Sequence, residues 1–234
     1  MKYCLKLFAV YLFAAFAFTA NASAKNFQTN ALNVKNAPKW VKRTKVEKAT
    51  DRIQTKLEWT TRRVNMFWHS TPESFEAAQN LGSRALAVTT VRNGTVSIHM
   101  GPKVTKDNYE QVVGHEIVHV IIYQKYKSSI PKWLEEGLAN HLSKKKKVDY
   151  KWLASQDFPS SMKELAHPFK GSKERIIYRY VASQAFAEML DRKCDLQNLI
   201  RLSVERKMED YIKRTCEITD FMSAFKSWVK KKAG

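Results

Sequence analysis

The alternation of apolar and polar residues predicts a small β-sheet in the first half of the chain. Residues 63–69 alternate as a strand does, and residues 86–91 and 95–100 alternate on either side of Asn93-Gly94. Asn-Gly between two alternating segments is a strong signal for a β-hairpin, because both residues tolerate the positive φ that the tight turn needs. We therefore expect one strand followed by a hairpin.

Elsewhere, apolar residues recur at the spacing of a helix face. Pro159 interrupts residues 150–166, where we expect only short, broken structure. The predicted helices cover residues 38–57, 70–82, 108–127, 132–142, 174–190, 196–207 and 223–232. A small N-terminal β-sheet with helices, followed by a mostly helical C-terminal half, indicates an α+β fold.

The N-terminus has the pattern of a secretory signal peptide. Lys2 and Lys6 precede an apolar run over residues 7–18, and residues 22–24 read A-S-A, a small-residue cleavage site. The run is shorter than the roughly 20 residues of a membrane-spanning helix. Residues 1–24 are therefore predicted to be removed on export, with an uncleaved N-terminal anchor as the alternative.

The remaining chain is long enough for one core. Residues 25–37 are polar and aperiodic, which predicts a flexible lead-in, and residues 38–234 are predicted to form a single domain. No segment after the signal is long and apolar enough to cross a bilayer. We therefore expect no transmembrane segment in the mature chain.

The charge is strongly positive, with 41 Lys+Arg against 22 Asp+Glu and a net charge of +19. A hydrophobic share of 44% is too high for a disordered chain, so a packed core is expected despite the charge. A basic surface favours anionic partners. After export these are components of the cell envelope or acidic proteins rather than nucleic acid. A basic protein with no specific anionic partner is the alternative.

Cysteine usage leaves two structures open. Cys4 lies in the predicted signal, so only Cys194 and Cys216 remain in the mature chain. In an oxidising compartment they can form a disulfide, and otherwise they are two separate buried thiols.

Residues 115–119 read H-E-I-V-H inside a predicted helix. Residues four apart lie on one helix face, so His115 and His119 can bind one metal ion with Glu116 beside them. Such a zinc ion needs one more protein ligand and an open position for water, from which the glutamate removes a proton as general base. The alternative is that both histidines are ordinary residues of an amphipathic helix.

The next predicted helix begins soon afterwards, in residues 131–140, P-K-W-L-E-E-G-L-A-N. A short turn would place it beside the first helix and bring a carboxylate toward the imidazoles. Glu135 and Glu136 point about 100° apart on a helix, so only one can reach the ion. Geometry alone does not choose between them.

H-E-I-V-H followed by a glutamate in W-L-E-E-G-L-A resembles the gluzincin zinc metallopeptidases, and most of all their small bacterial peptidase MA-like branch. The resemblance covers residues 63–190 and implies a zincin-like fold. In that family the glutamate directly before Gly-Leu-Ala is the third zinc ligand, which corresponds to Glu136. The resemblance implies that Glu135 is a solvated neighbour.

Further residues are candidates for supporting roles at the predicted zinc site. Asn140 lies one turn after Glu136. There it can accept a hydrogen bond from the free N–H of a ligand histidine and so orient that ring. Tyr178 and Tyr180 are candidates for a phenol that stabilises an oxyanion. Residues 180–183 read Y-V-A-S, a run that resembles one the family has at the start of a later helix, so the resemblance favours Tyr180. The resemblance also implies that the strand at residues 95–100 offers its edge to a peptide substrate, with His99 on its polar side.

Together these features predict an exported zinc-dependent metallopeptidase, periplasmic or secreted, that hydrolyses peptide bonds in a peptide or protein substrate. His115, His119 and Glu136 would bind Zn2+, Glu116 would be the general base, and Tyr180 would assist. One alternative is a non-catalytic, zinc-stabilised basic binding protein of the envelope. Another is a metal-free polyanion binder in which the motif is accidental.

Overall fold

The computed structural model describes residues 24–79, 81–82, 84–127, 129–143, 147–165, 171–202 and 208–234. The predicted signal lies outside these ranges except for Ala24, and three residues of the lysine run, 144–146, lie outside them as well. The fold is α+β, as predicted, with a sheet formed early in the chain and a mostly helical second half.

The sheet has five strands in the described residues, in the order β1-β2-β3-β5-β4. Its central strands are parallel, since β3 pairs in parallel with β2 and with β5. The outer pairs, β1 with β2 and β4 with β5, are antiparallel. The strands are β1 (Lys25–Gln28), β2 (Leu32–Ala37), β3 (Val64–Trp68), β4 (Ala87–Arg92) and β5 (Thr95–Met100).

The prediction of a flexible lead-in at residues 25–37 is wrong, because this segment forms β1 and β2. Leu32, Val34 and Ala37 are all buried in the core. The strand β2 is stabilised by parallel pairing with β3, which lies some thirty residues away in the chain. The alternation of apolar and polar residues in β2 is too short to predict a strand without that partner. The domain therefore begins at β1 rather than at residue 38.

The helices follow the prediction in most places. The structure adds α8, which was not predicted, and the predicted helix at residues 196–207 is described only as far as Leu202. The helices are α1 (Arg43–Leu57), α2 (Pro72–Ala78), α3 (Tyr109–Tyr126), α4 (Lys132–Leu142), α5 (Tyr150–Ala154), α6 (Lys173–Lys193), α7 (Leu196–Leu202), α8 (Met208–Thr215) and α9 (Phe221–Ala233).

Helix α3 runs through the middle of the domain and is buried on most of its surface. It packs against α1, α4 and β4, and α4 packs in turn against α6. Helices buried on nearly all sides lack a single polar face, which explains why apolar residues of α3 occur all around it. This packing brings α3, α4, α6 and β4 together around one region.

Gly137 allows the close approach of α4 and α6. A β-carbon built at this glycine would overlap the carbonyl oxygen of Ser183 on α6. Because backbone atoms cannot yield as the end of a side chain can, only glycine fits here without moving a helix.

Cys194 and Cys216 form a disulfide. Cys194 directly follows α6 and Cys216 directly follows α8, so the bond fastens the ends of these two helices to each other. Within the described ranges, no helix has the combination of length and apolar character required to span a bilayer.

Candidate metal centre

The two histidines of the H-E-x-x-H segment project from one face of α3. Their Nε2 atoms lie 3.2 Å apart, and the side chains of His115 and His119 are 19% and 10% exposed. The i, i+4 spacing of an α-helix places such residues one above the other. Both rings therefore present a nitrogen to the same point.

Helix α4 adds the carboxylate of Glu136. Its Oε2 lies 3.6 Å from Nε2 of His115 and its Oε1 lies 3.6 Å from Nε2 of His119. The side chain is only 3% exposed, and the ligand atoms of all three residues lie within 4.8 Å of one another. The structure thus brings together the three residues that the sequence singled out as ligands.

This donor set fits a zinc ion. Ligand nitrogens about 2.0–2.1 Å from a tetrahedral ion are about 3.3–3.4 Å from each other. The nitrogen–nitrogen and nitrogen–oxygen distances of 3.2 and 3.6 Å lie close to that value. Two imidazoles and one carboxylate are also the ligand set of catalytic zinc sites that keep a fourth position open.

The expectation that Glu135 is a solvated neighbour is wrong. Nδ1 of His119 donates a hydrogen bond of 2.6 Å to Oε1 of Glu135, whose side chain is 15% exposed. Its other oxygen, Oε2, lies 2.9 Å from Nζ of Lys132. Glu135 thus occupies Nδ1 of His119 and leaves Nε2, which faces His115 and Glu136, available for a metal ion.

The contact between His119 and Glu135 shifts the pKa of both residues. Burial favours the neutral forms of His119 and Glu135, but their mutual attraction and hydrogen bond outweigh it, raising the pKa of His119 and lowering that of Glu135. Glu136 also raises the pKa of His119. A metal ion bound at Nε2 would compete with a proton for that nitrogen.

Asn140 does not orient a histidine. Its side chain is buried, yet neither Oδ1 nor Nδ2 has a hydrogen-bond partner among the described residues. The residue lines the cleft beside the centre. The predicted role is taken instead by Glu135, five residues earlier on another face of α4.

Glu116 is buried between α3 and the strand β4. Its Oε2 accepts a 2.7 Å hydrogen bond from Oγ1 of Thr89, and the same hydroxyl lies 3.3 Å from the carbonyl oxygen of Glu116. Burial raises the pKa of Glu116, while His119 and Thr89 act to lower it. The sequence analysis missed Thr89, because only the tertiary packing of β4 shows which of its residues faces α3.

The structure separates the two candidate tyrosines. Tyr180 lines the cleft that holds Glu116 and Glu136. Burial and these two carboxylates raise the pKa of Tyr180, so its phenol stays protonated. Tyr178, two residues before Tyr180, points about 200° away from it around the axis of α6. Its ring lies 6.5 Å from that of Trp152, and burial raises its pKa to about 12.

The expectation that residues 95–100 offer a free sheet edge is wrong. The strand β5 lies between β3 and β4, and the free edge on this side of the sheet belongs to β4. His99 packs its ring against Phe67 and lies 3.1 Å from a ring nitrogen of His69. It is not among the described residues that line the cleft.

The candidate centre opens into a cleft of about 1220 Å³. Residues of β4 and the segment before it line one side, and residues at the start of α6 line another. Helices α3 and α4 supply the histidines and glutamates between them. The candidate ligands, Glu116 and Tyr180 therefore share one solvent-accessible space.

A comparison of the chain with protein-family models and with curated proteins found no match.

Proposed function

We propose that this protein is an exported zinc-dependent metallopeptidase of the gluzincin type. The observation that carries the proposal is the convergence of His115, His119 and Glu136 on one point, with the buried Glu116 beside them in an open cleft. A site that only stabilises the fold needs four protein ligands and no neighbouring base. Three protein ligands, the neighbouring carboxylate of Glu116 and an accessible cleft are the arrangement expected of a hydrolytic site.

A zinc ion at this centre would supply Lewis acidity, lowering the pKa of a water molecule and polarising a substrate carbonyl. Glu116 would accept a proton from that water at its carboxylate and pass it to the leaving amine. Burial raises its pKa, which favours its acting as a group that both takes and gives a proton. Thr89 would hold one carboxylate oxygen in place.

Two further residues would complete the site. Glu135 fixes the ring of His119 through Nδ1, so that Nε2 faces the ion. The protonated phenol of Tyr180 would donate a hydrogen bond to the oxyanion that develops on the substrate. Each of these groups is held by a helix that packs against α3 or α4.

The signal pattern of residues 1–24 supports a location in the cell envelope, in the periplasm or after secretion. The disulfide between Cys194 and Cys216 also supports export, since such bonds persist in oxidising compartments.

Glu116→Gln tests the proposal. The variant should keep one zinc ion per chain and lose hydrolysis of an unfolded protein substrate by about 10²–10⁴-fold. The matched control is Glu110→Gln on the same helix, where the side chain is 39% exposed and pairs with Lys45. Equal activity in native protein and Glu116→Gln, with the Glu110→Gln control unchanged, would contradict the proposal.

The charge of +19 favours a second candidate, a zinc-stabilised protein that binds an anionic envelope component without catalysis. The same variant distinguishes the two, because a binding protein keeps its function when Glu116 is changed. Metal analysis of the purified protein addresses the metal-free alternative, which should contain no stoichiometric zinc.

A further inference from the structure

The exposed large aliphatic side chains are concentrated in one place. Within the described ranges they are Leu81, Leu86, Val91 and Ile177, which are 49%, 38%, 42% and 46% exposed, and all four line the cleft of the candidate centre. Single exposed apolar residues scattered over a surface are ordinary, whereas several that line the same cleft favour a contact surface. The cleft therefore offers apolar contacts beyond the metal centre.

These side chains come from two sides of the cleft. Val91 belongs to β4, and Leu81 and Leu86 belong to the segment just before that strand. Ile177 lies on the second turn of α6. A chain lying in the cleft can therefore bury aliphatic side chains toward the sheet and toward α6.

The charges of the cleft are segregated. Among its described lining residues the only carboxylates are Glu116, Glu135 and Glu136, all of them at the candidate metal centre. The cations that line it are Arg84, Lys127, Lys132 and Lys173.

Lys132 pairs with Glu135. Hydrogen bonds, followed by the charge of Lys173, lower the pKa of the exposed Glu174. None of the ion pairs among the described residues, however, involves Arg84, Lys127 or Lys173. Positive charges that form no close ion pair in a cleft attract acidic groups at long range and favour them in the bound state.

We infer that the cleft recognises an extended peptide segment that carries both bulky aliphatic side chains and aspartate or glutamate. This inference rests on the proposed function and specifies its substrate class. A volume of about 1220 Å³ exceeds the roughly 300–1000 Å³ of small-molecule pockets, as a peptide of several residues requires. The free edge of β4 adds backbone hydrogen-bonding groups, which a peptide can satisfy and a lipid head group cannot.

The test measures binding rather than turnover. Zinc-loaded Glu116→Gln protein is titrated against four fluorescently labelled ten-residue peptides, and fluorescence anisotropy gives each dissociation constant. One peptide contains equal numbers of Leu and Glu. In the other three, Leu is replaced by Ser, Glu by Gln, or Glu by Lys.

The Leu-Glu peptide should bind at least tenfold more tightly than the serine and lysine peptides. The glutamine peptide should bind about threefold to tenfold more weakly than the Leu-Glu peptide at low salt, with the difference shrinking as salt is added. Equal binding of the lysine and glutamate peptides, or of the serine and leucine peptides, would overturn the inference. This comparison uses one protein, so it does not depend on how any cleft variant folds.

Two pairs of variants in the same background locate the contacts. Ile177→Asn should weaken binding of the Leu-Glu peptide about fivefold to thirtyfold, while Ile177→Val should stay within about twofold. Lys173→Glu should weaken it about threefold to tenfold, whereas Lys48→Glu, an exposed residue of α1 away from the cleft, should not. Equal effects within either pair would overturn the assignment to the cleft.

The outcomes separate this inference from the proposed function. Selective binding without hydrolysis by native protein would sustain the substrate class and contradict the peptidase. Hydrolysis without the predicted selectivity would sustain the peptidase and contradict the substrate class. Displacement of the peptide by vesicles of anionic phospholipid, abolished by Lys173→Glu, would assign the cleft to lipid and overturn the inference.

Discussion

Nδ1 of His119 lies 2.6 Å from Oε1 of Glu135, while Nε2 of the same ring lies 3.6 Å from Oε1 of Glu136. Two adjacent residues of α4 thus hold opposite nitrogens of one imidazole. Their side chains diverge by about 100°, which lets Glu136 approach Nε2 while Glu135 approaches Nδ1 on the other side of the ring. Glu135 therefore orients the histidine, and Glu136 lies where it could complete a set of three metal ligands.

Glu135→Ala should weaken zinc binding about 10–100-fold, because the ring of His119 loses the carboxylate that fixes its orientation and basicity. Glu135→Gln should weaken it less, since the amide oxygen still accepts a hydrogen bond from Nδ1. Competition with a chromogenic chelator measures both affinities. Asn140→Ala serves as the control and should change zinc affinity less than about threefold, because its amide has no hydrogen-bond partner among the described residues. A larger effect at Asn140 than at Glu135 would refute the assignment.

Thr89→Val should lower kcat/KM about tenfold and leave zinc content unchanged, because Glu116 loses a hydrogen bond that fixes its carboxylate. That bond lowers the pKa of Glu116, so its removal raises the pKa. The acidic limb of the kcat/KM profile should therefore move to higher pH. Thr89→Ser keeps the hydroxyl and should restore the native profile. A profile that moves equally in both variants would mean that the hydroxyl has no such role.

Gly137→Ala should destabilise the protein by about 3 kcal/mol, because the new methyl group overlaps backbone atoms of Ser183 and forces α4 away from α6. Gly114→Ala on α3 is the matched control. Its β-carbon would come within 3.2 Å of the end of the Arg52 side chain, which can move, so the cost should stay below about 1 kcal/mol. Urea unfolding measures both, and similar losses in the two variants would contradict the helix-packing argument.

His99 should make the fold sensitive to acid. Burial, followed by the charges of His69 and Arg92, lowers the pKa of His99 to about 4. The unfolded chain binds this proton at an ordinary pKa of about 6.5, so between those values the unfolded state holds more protons and the folded state loses stability as pH falls. We expect this histidine to account for about 1–2 kcal/mol between pH 7 and pH 4, a figure reduced for its partial exposure.

His99→Gln measures that contribution. The slope of unfolding free energy against pH should be shallower in the variant between pH 6.5 and 4, while carboxylate titration affects both proteins alike. Parallel curves for native protein and variant would show that His99 does not titrate on unfolding.

The fold class and the helical positions of the candidate ligands were predictable because they follow from local regularities. The H-E-x-x-H spacing specifies one face of α3 wherever that helix lies, and the Asn93-Gly94 hairpin is a property of its own turn. The sequence also restricted the third ligand to Glu135 or Glu136. The resemblance favoured Glu136, which lies 3.6 Å from both histidines.

Other features were decided only by the tertiary structure, because each of them depends on a partner that is distant in the chain. The strand β2 exists because it pairs with β3, and Thr89 reaches Glu116 because β4 packs against α3. Glu135 meets His119 only after Gly137 lets α4 pack between α3 and α6. Local periodicity shows which face of an element is apolar, but the neighbour of that face is chosen by long-range packing, which no single segment encodes.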